Sequence, residues 1–454
     1  MSAPRTPPHS TEAEFHVLGG ILLDNAAFDQ VGDRLQPDDL YHESHRIIFE
    51  AIRDLVAGGK RADAVSLFDR LNDAGRLDQI GGPAVLAELA ERVPTAANVP
   101  AHARIVQEKA ALRRLIRVCA DIAESGLGDV DDVPAFLDDA EQQIYKVREA
   151  SQQDLREGLT PLKTVLDGAL QQLDERYQDK RDVTGVSTGF LDLDLKTAGL
   201  QRSDLIVLAA RPSMGKTALA LNIAVNTALG PDSPSVAVFS LEMSRQQLAL
   251  RMLASEARVS SEALRTGRFS EADFGKLTRA VESLAKARIY IDDTAALSPL
   301  QLRGKCRRLK ARDGLDLVIV DYMQLMRVPA TGGRRIESRE KEIAEISRTM
   351  KTLAKDLDVP VLCLSQLNRD LEKRPSKRPQ LSDLRESGTI EQDSDIIAFI
   401  YRDEVYNEGT EEKGVAEVII AKHRNGPTGT IRLKFWDRYT RFDNLDPTED
   451  PFRS

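Results

Sequence analysis

Cysteine is scarce. The 454 residues hold three, Cys119, Cys306 and Cys363, too far apart for a CxxC metal knuckle or a disulfide framework. All three read as core residues, Cys363 inside the apolar run VLCL. Long apolar runs are missing too. No stretch approaches the ~18 uninterrupted apolar residues of a membrane span. The opening MSAPRTPPHS lacks an apolar signal core, so a cytoplasmic location and no membrane partner are expected. A basic surplus is also absent, since 63 Lys and Arg against 72 Asp and Glu leave a net charge of −9. That excludes a uniformly basic surface but not nucleic acid, because phosphate contact needs only a local basic lining. Hydrophobic residues at 41% and charged residues at 30% describe a globular chain with core enough for two or three domains.

Residues 1–10 read as a disordered tail, and residues 11–150 as a small all-helical domain. In the latter, Thr11 and Glu14 suit a capping box, followed by Phe15, Leu18 and Leu22 on one face. Ile48, Ile52 and Leu55 repeat the spacing, as do Val85, Leu86 and Leu89. Ile105, Leu112, Leu115, Ile116, Cys119 and Ile122 predict a long helix. Breaks fall at Gly58-Gly59, Gly81-Gly82-Pro83 and Pro94. Residues 151–182 read as a linker with one amphipathic helix, whose stripe is Leu162, Val165, Leu166, Ala169, Leu170 and Leu173. That stripe packs either on its own domain or on a neighbouring subunit. From 183 to 454 the texture changes to short apolar runs alternating with helical ones. LIVLA (205–209), VAVFS (236–240), IYI (289–291), LVIVD (317–321), VLCLS (361–365) and IIAFI (396–400) predict strands buried on both faces. Together they predict an α/β domain with a mostly parallel sheet flanked by helices. VAEVIIAKH and TIRLKFW, around Asn425-Gly426, add antiparallel strands.

AARPSMGKT (209–217) joins the first strand to an apolar helix. Strand, glycine-bearing loop and helix N-terminus form the arrangement whose backbone N–H groups and dipole hold phosphate. Lys216 would reach the outer phosphates and Thr217 would ligate Mg²⁺. Ala210 stands where GxxxxGK[ST] has its first glycine. Further polar groups follow other strand ends. Asp321 suits a carboxylate holding Mg²⁺ through water, Glu242 a base for the attacking water, and Gln366 a sensor of the γ-phosphate. Each has an ordinary alternative: a turn-capping aspartate, or a glutamate favoured near a helix start.

Taken in order, ARPSMGKT, SLEMS, VIVDYMQLM, LSQLNR, LSDLRESGTIEQDSD and KHRNGPTG resemble the motif series of bacterial replicative DNA helicases of the DnaB type, within the RecA-like ATPases. LGGILLD, HRIIFEAI and PTAANV extend the resemblance over nearly the whole chain. It implies a RecA-like C-terminal domain behind an all-α collar and a linker helix. The implied activity is an ATP-dependent helicase that encircles single-stranded DNA and moves 5′ to 3′ as a homohexamer. ATP and Mg²⁺ are the implied cofactors, with primase and a helicase loader as candidate protein partners. On matching positions, the resemblance places nucleotide at Ser213, Gly215, Lys216, Thr217 and Ala218, with Arg251 nearby. It makes Glu242 the catalytic base, Asp321 the Mg²⁺-associated carboxylate and Gln366 the coupling residue. Lys422 and Arg424 become the pair inserted from the adjacent subunit, Arg424 as arginine finger. Arg385, Glu386 and Gly388 become the loop on the DNA backbone. Without the resemblance, Lys422 and Arg424 read as a cross-strand charge pair and Arg385 as a salt-bridged loop residue. Arg334, Arg335 and Arg339 suit either a second pore loop or a solvated basic turn. Ser203, where relatives generally carry glycine, and DKRDVTG are departures. Two rivals remain: a filament-forming RecA-like recombinase, and a non-hydrolysing scaffold, for which Glu242 and Arg424 would have no use.

Overall fold

The computed structural model describes residues 6–130, 183–327, 338–384 and 388–445, with isolated positions between 133 and 173. It divides into two compact units, Met1–Asp167 and Gly168–Ser454.

The first unit is helical, with principal helices Thr11–Leu23, Glu43–Ala57, Ala64–Asp73, Pro83–Arg92 and Val99–Gly126. Their apolar faces close one core around Leu18, Ile21, Ile48, Phe49, Ile52, Leu67 and Leu89. LGGILLD owes its glycines to close packing. A Cβ on Gly19 would lie 2.4 Å from the Leu89 carbonyl oxygen, and one on Gly20 would lie 2.3 Å from Val99 Cγ2.

The structure corrects three expectations. The first helix is capped by Ser10, whose hydroxyl accepts from the Ala13 N–H, and not by Thr11. Glu14 therefore turns inward, where its buried carboxylate accepts from the Tyr41 N–H at 2.6 Å and shares a 2.8 Å hydrogen bond with His45. Burial raises its pKa, but the His45 and Tyr41 bonds outweigh that and hold it below the usual glutamate range. Residues 7–10, expected within a disordered tail, are anchored: His9 stacks on Tyr41 at 4.2 Å, and the Pro8 carbonyl accepts from Arg113 at 2.7 Å. Cys119 is exposed, whereas Cys306 and Cys363 are buried. Burial along Val99–Gly126 ends at Ala110, so Leu112, Ile116 and Cys119 lie on its uncovered half. Leu162, Val165, Leu166, Leu170 and Leu173 of the linker stripe are exposed as well. Ala169 and the rest of that segment's packing lie outside the described residues.

The second unit is built on a nine-stranded sheet: β1 (Leu205–Ala210), β2 (Val236–Ser240), β3 (Ile289–Asp292), β4 (Leu317–Asp321), β5 (Val361–Gln366), β6 (Ile396–Tyr401), β7 (Val415–His423), β8 (Gly429–Trp436) and β9 (Arg441–Asn444). The order is β3-β2-β4-β5-β1-β6-β7-β8-β9, parallel through β6 and antiparallel beyond. β1, β2, β4 and β6 are buried at every residue, because helices cover both faces and leave no side for polar alternation. β9 goes beyond the expected strands, since RFDN is short and polar for one. It is held by register against β8, Phe442 pairing with Phe435.

Ser203 has φ +65°, the left-handed region that favours glycine. Its hydroxyl donates to Asp358 Oδ1 at 2.8 Å, offsetting a strain of about 1 kcal/mol.

Candidate nucleotide site

The parallel strands end together, and the residues after their carboxyl ends share one edge of the sheet. Ala210 still belongs to β1, buried and without positive φ, so alanine replaces glycine there at no conformational cost. The turn is made further on, by Ser213 at φ +68° and Gly215 at φ +95°. Gly215 also rests on an aromatic floor, where an added Cβ would lie 2.9 Å from the Phe442 ring. The helix Lys216–Ala228 starts immediately after it, with Ala218 already in the core. Thirteen residues suffice for a full dipole at the loop.

β4 delivers Asp321 beside that helix, and Thr217 Oγ1 donates to Asp321 Oδ2 at 2.7 Å. Asp321 Oδ1 is buried and has no hydrogen-bond partner among the described residues. The Lys216 ammonium sits over the Tyr322 ring, 4.6 Å from its centroid. Burial depresses the Lys216 pKa, opposed by the charges of Asp321 and Glu242. Glu242 is exposed just past β2, near enough to act electrostatically on both Lys216 and Tyr322. Gln366 ends β5 in register with Ala210 and lines a cleft of about 360 Å³ with Tyr322, Gln324 and Arg211. Thus Lys216, Thr217, Glu242, Asp321 and Gln366 share this edge, while Arg251 is exposed on the helix Arg245–Ala257.

Lys422 and Arg424 stand elsewhere. β7 runs antiparallel to β6, so its end meets the start of β6, with Lys422 opposite Ile397. The Arg424 N–H donates to the Asp395 carbonyl at 2.9 Å, and the Asp395 N–H donates to the Leu205 carbonyl at 2.9 Å. Arg424 is thereby fixed level with the first residue of β1, on the far side of the β6 start, while the phosphate loop leaves the last residue of β1. Five residue steps at ~3.3 Å separate the two edges by about 16 Å. The cross-strand charge contact expected without the family resemblance is made by Arg424 alone, with Asp395 one step beyond the Ile396–His423 pair. Lys422 donates instead to the Ser394 carbonyl at 2.7 Å, and Arg424 meets Asp395 Oδ1 at 3.4 Å.

Beside this pair, burial and then the like charge of Asp395 push Asp204 up to about 6, against the pull of Lys351 and Arg424. With the folded pKa above the unfolded value of 3.8, the contribution to stability is largest below pH 4 and lost as pH rises through 6. Asp204→Asn is expected to raise stability by about 1 kcal/mol at pH 7.5, a figure discounted for partial exposure. The gain should vanish near pH 4, as checked by thermal midpoints at both pH values.

Of the DNA-loop residues, Gly388 opens the helix Gly388–Asp393, with open space where a Cβ would project. Arg385 and Glu386 lie outside the described residues, as do Arg334, Arg335 and DKRD of the DKRDVTG stretch. Arg339 is described, and its guanidinium bonds Glu342 and the Gln324 carbonyl.

Two buried arginines escape a reading of the sequence. Arg402, after β6, donates to the Ser213 carbonyl at 3.2 Å, pairs with Glu404 and stacks on Phe435 at 3.9 Å. Arg211 bonds the Leu367 carbonyl at 2.9 Å and Glu372 at 2.8 Å, tying the phosphate loop to the segment after Gln366. The strand-end rule that finds Glu242 and Gln366 could have found Arg402. Arg211 is visible inside AARPSMGKT, but only its burial reveals its task.

Two family models match: the DnaB-like helicase N terminal domain over residues 6–108 and the DnaB-like helicase C terminal domain over residues 185–444. The chain belongs to the DnaB-like replicative helicases. A replicative DNA helicase DnaB of Geobacillus stearothermophilus is 47% identical over 442 residues, spanning 97% of this chain and 96% of that protein. Among solved structures, a DnaB-like replicative helicase described with its interactions with primase aligns at TM-score 0.75 and 35% identity, covering 96% of this chain and 99% of that one. A second solved structure, an ATPase domain by itself, aligns at TM-score 0.58 and 41% identity over 62% of this chain and 99% of that one. This DnaB-like chain is accordingly a replicative helicase with ATP hydrolysis, on the α/β fold its sequence predicted. The N-terminal match separates it from a recombinase sharing only the ATPase core. No described helix is long and apolar enough to cross a membrane.

Proposed function

We propose that the chain assembles as a homohexameric ring around single-stranded DNA and moves 5′ to 3′, each ATP site completed by Lys422 and Arg424 of the adjacent subunit. The observation that carries this reading is the separation of about 16 Å between the two edges of the sheet. Arg424 cannot serve the phosphate loop of its own chain. A rotated second copy would bring one subunit's Arg424 edge to the next subunit's loop edge, a head-to-tail contact that closes into a ring.

Within each site, Ser213, Gly215 and the first turn of the following helix, through Ala218, cradle phosphates by backbone N–H groups. Lys216 leaves Tyr322 for the outer phosphates, whose charge favours the ammonium against the cost of burial. Thr217 and Asp321 suit Mg²⁺: the hydroxyl as direct ligand, the unpartnered Oδ1 as acceptor for a metal-bound water. When bound, the ion neutralises charge on the β- and γ-phosphates. Glu242 accepts a proton from the attacking water, and Arg424 in trans neutralises the transferring phosphoryl group. Gln366, beside Ala210 at the cleft, reports the γ-phosphate to the DNA loop containing Arg385, Glu386 and Gly388. Arg251 contacts the nucleotide outside the phosphate cradle. Primase docks on the helical unit, a reading supported by the solved relative whose interactions with primase are described.

The test uses a forked duplex with labelled strands. ATP-dependent strand displacement requiring a free 5′ tail, with DNA-stimulated ATP turnover, is expected. Turnover indifferent to DNA, or displacement from a 3′ tail alone, overturns the proposal.

A further inference from the structure

We propose that Asp395 positions Arg424 for the neighbouring subunit's nucleotide, an inference resting on the reading of Arg424 as a trans-acting finger. Asp395 sits between the helix Gly388–Asp393 and β6, its side chain buried. Nearly every polar group it has is committed. Its N–H and carbonyl bond Leu205 and Arg424, both at 2.9 Å. Oδ2 accepts from the Leu205 N–H at 2.8 Å and from Lys351 Nζ at 2.5 Å, while Oδ1 faces Arg424 Nη1 at 3.4 Å. Lys351 in turn donates to the Ser203 carbonyl at 2.9 Å. One carboxylate therefore references the arginine to the first residue of the central strand.

The neighbouring carbonyls complete the mount. Gln392 O accepts from Arg424 Nη2 at 2.5 Å, and Ser394 O accepts from Lys422 at 2.7 Å. The carbonyls sit at the C-terminal end of a helical turn, where cations are favoured. Arg424 is nevertheless about half exposed, with a relative side-chain accessibility of 47% against 5% for Asp395. An exposed arginine side chain is conformationally free, and holding it near one geometry is what a transition-state contact requires. A rigid buried anion bonded to the frame supplies that restraint. Asp395 touches no nucleotide and is a positioning residue.

Asp395→Asn keeps the shape and removes the charge. The expected result is a fall in kcat of roughly ten- to a hundredfold, with the KM for ATP and assembly unchanged. The deciding measurement mixes this variant with Glu242→Gln, which is inactive alone but carries an intact finger mount. If Asp395 acts through Arg424, the mixed assembly hydrolyses ATP faster than either variant alone, because Asp395→Asn subunits then meet good fingers. A purely structural fault stays within the subunit that carries it and gives no gain. Arg424→Ala mixed with Glu242→Gln runs in parallel. Gain there without gain for Asp395→Asn overturns the Asp395 assignment alone. No gain in either mixture overturns the trans finger and this inference with it. Wild-type turnover in Asp395→Asn by itself also overturns it. If the asparagine variant does not assemble, Asp395→Glu, which keeps the charge but shifts it by one methylene, takes its place in the same mixture.

Discussion

Arg424→Ala is expected to lower DNA-stimulated ATP turnover by roughly a thousandfold or more, while nucleotide binding and assembly persist. On the proposed reading, the magnitude follows from what the side chain neutralises: charge that develops on the transferring phosphoryl group only in the transition state, beyond what Lys216 and Lys422 already meet. On that reading binding persists, because the proposed cradle of Gly215, Lys216 and Thr217 would belong to the other subunit and keep its geometry, including the 2.7 Å Thr217–Asp321 hydrogen bond. The cost to the fold is small, since the lost side-chain contacts are a half-exposed pair with Asp395 and one with the Gln392 carbonyl. The backbone bond from residue 424 to the Asp395 carbonyl survives the substitution. Steady-state turnover beside equilibrium binding of a fluorescent ATP analogue separates the two effects. Turnover within tenfold of wild type would remove Arg424 as the finger.

Legibility in the sequence followed the physics of each element. Strands buried on both faces announce themselves as continuous β-branched runs, so β2 and β4 fall at the predicted boundaries, and β1, β5 and β6 each run one residue longer. β3 also runs one residue longer but, as the edge strand beside β2, is half-buried throughout and not buried on both faces as expected. RFDN escaped because β9 is made by pairing with β8 and not by its own composition. In the helical unit, spacing located the helices, but capping depended on tertiary demand: Glu14 suited a capping box locally and was drawn inward by Tyr41 and His45. Cys119 was misplaced for a related reason. An apolar stripe shows that a helix has a face, not that its own domain covers it. At the site, residues after strand ends were legible because a parallel sheet gathers them at one edge. The opposite-edge position of Lys422 and Arg424 was not, since it depends on the antiparallel return of β7. Buried Arg402 and Arg211 show what remains: supports for a phosphate loop are chosen by burial and reach, which no local pattern records.

Glu242→Gln should retain ATP yet lose turnover by roughly a hundred- to ten-thousandfold. The glutamine can still orient a water through its carbonyl but cannot accept the proton, so the loss measures proton transfer and not positioning. The substitution also removes one of the two charges that oppose the burial of Lys216. Without nucleotide, the Lys216 pKa should therefore fall further; with phosphates bound, their charge exceeds the missing carboxylate and raises it again. ATP affinity is accordingly expected to stay level or rise slightly, because Glu242 repels the γ-phosphate in the wild-type site. Glu242 is exposed and flanked by the capped start of the helix Arg245–Ala257, so neither core nor cap is disturbed. Single-turnover hydrolysis with preloaded ATP isolates the chemical step from product release. A wild-type rate in that measurement would move the base to another residue, and the cleft of Tyr322, Gln324 and Gln366 is where it would be sought.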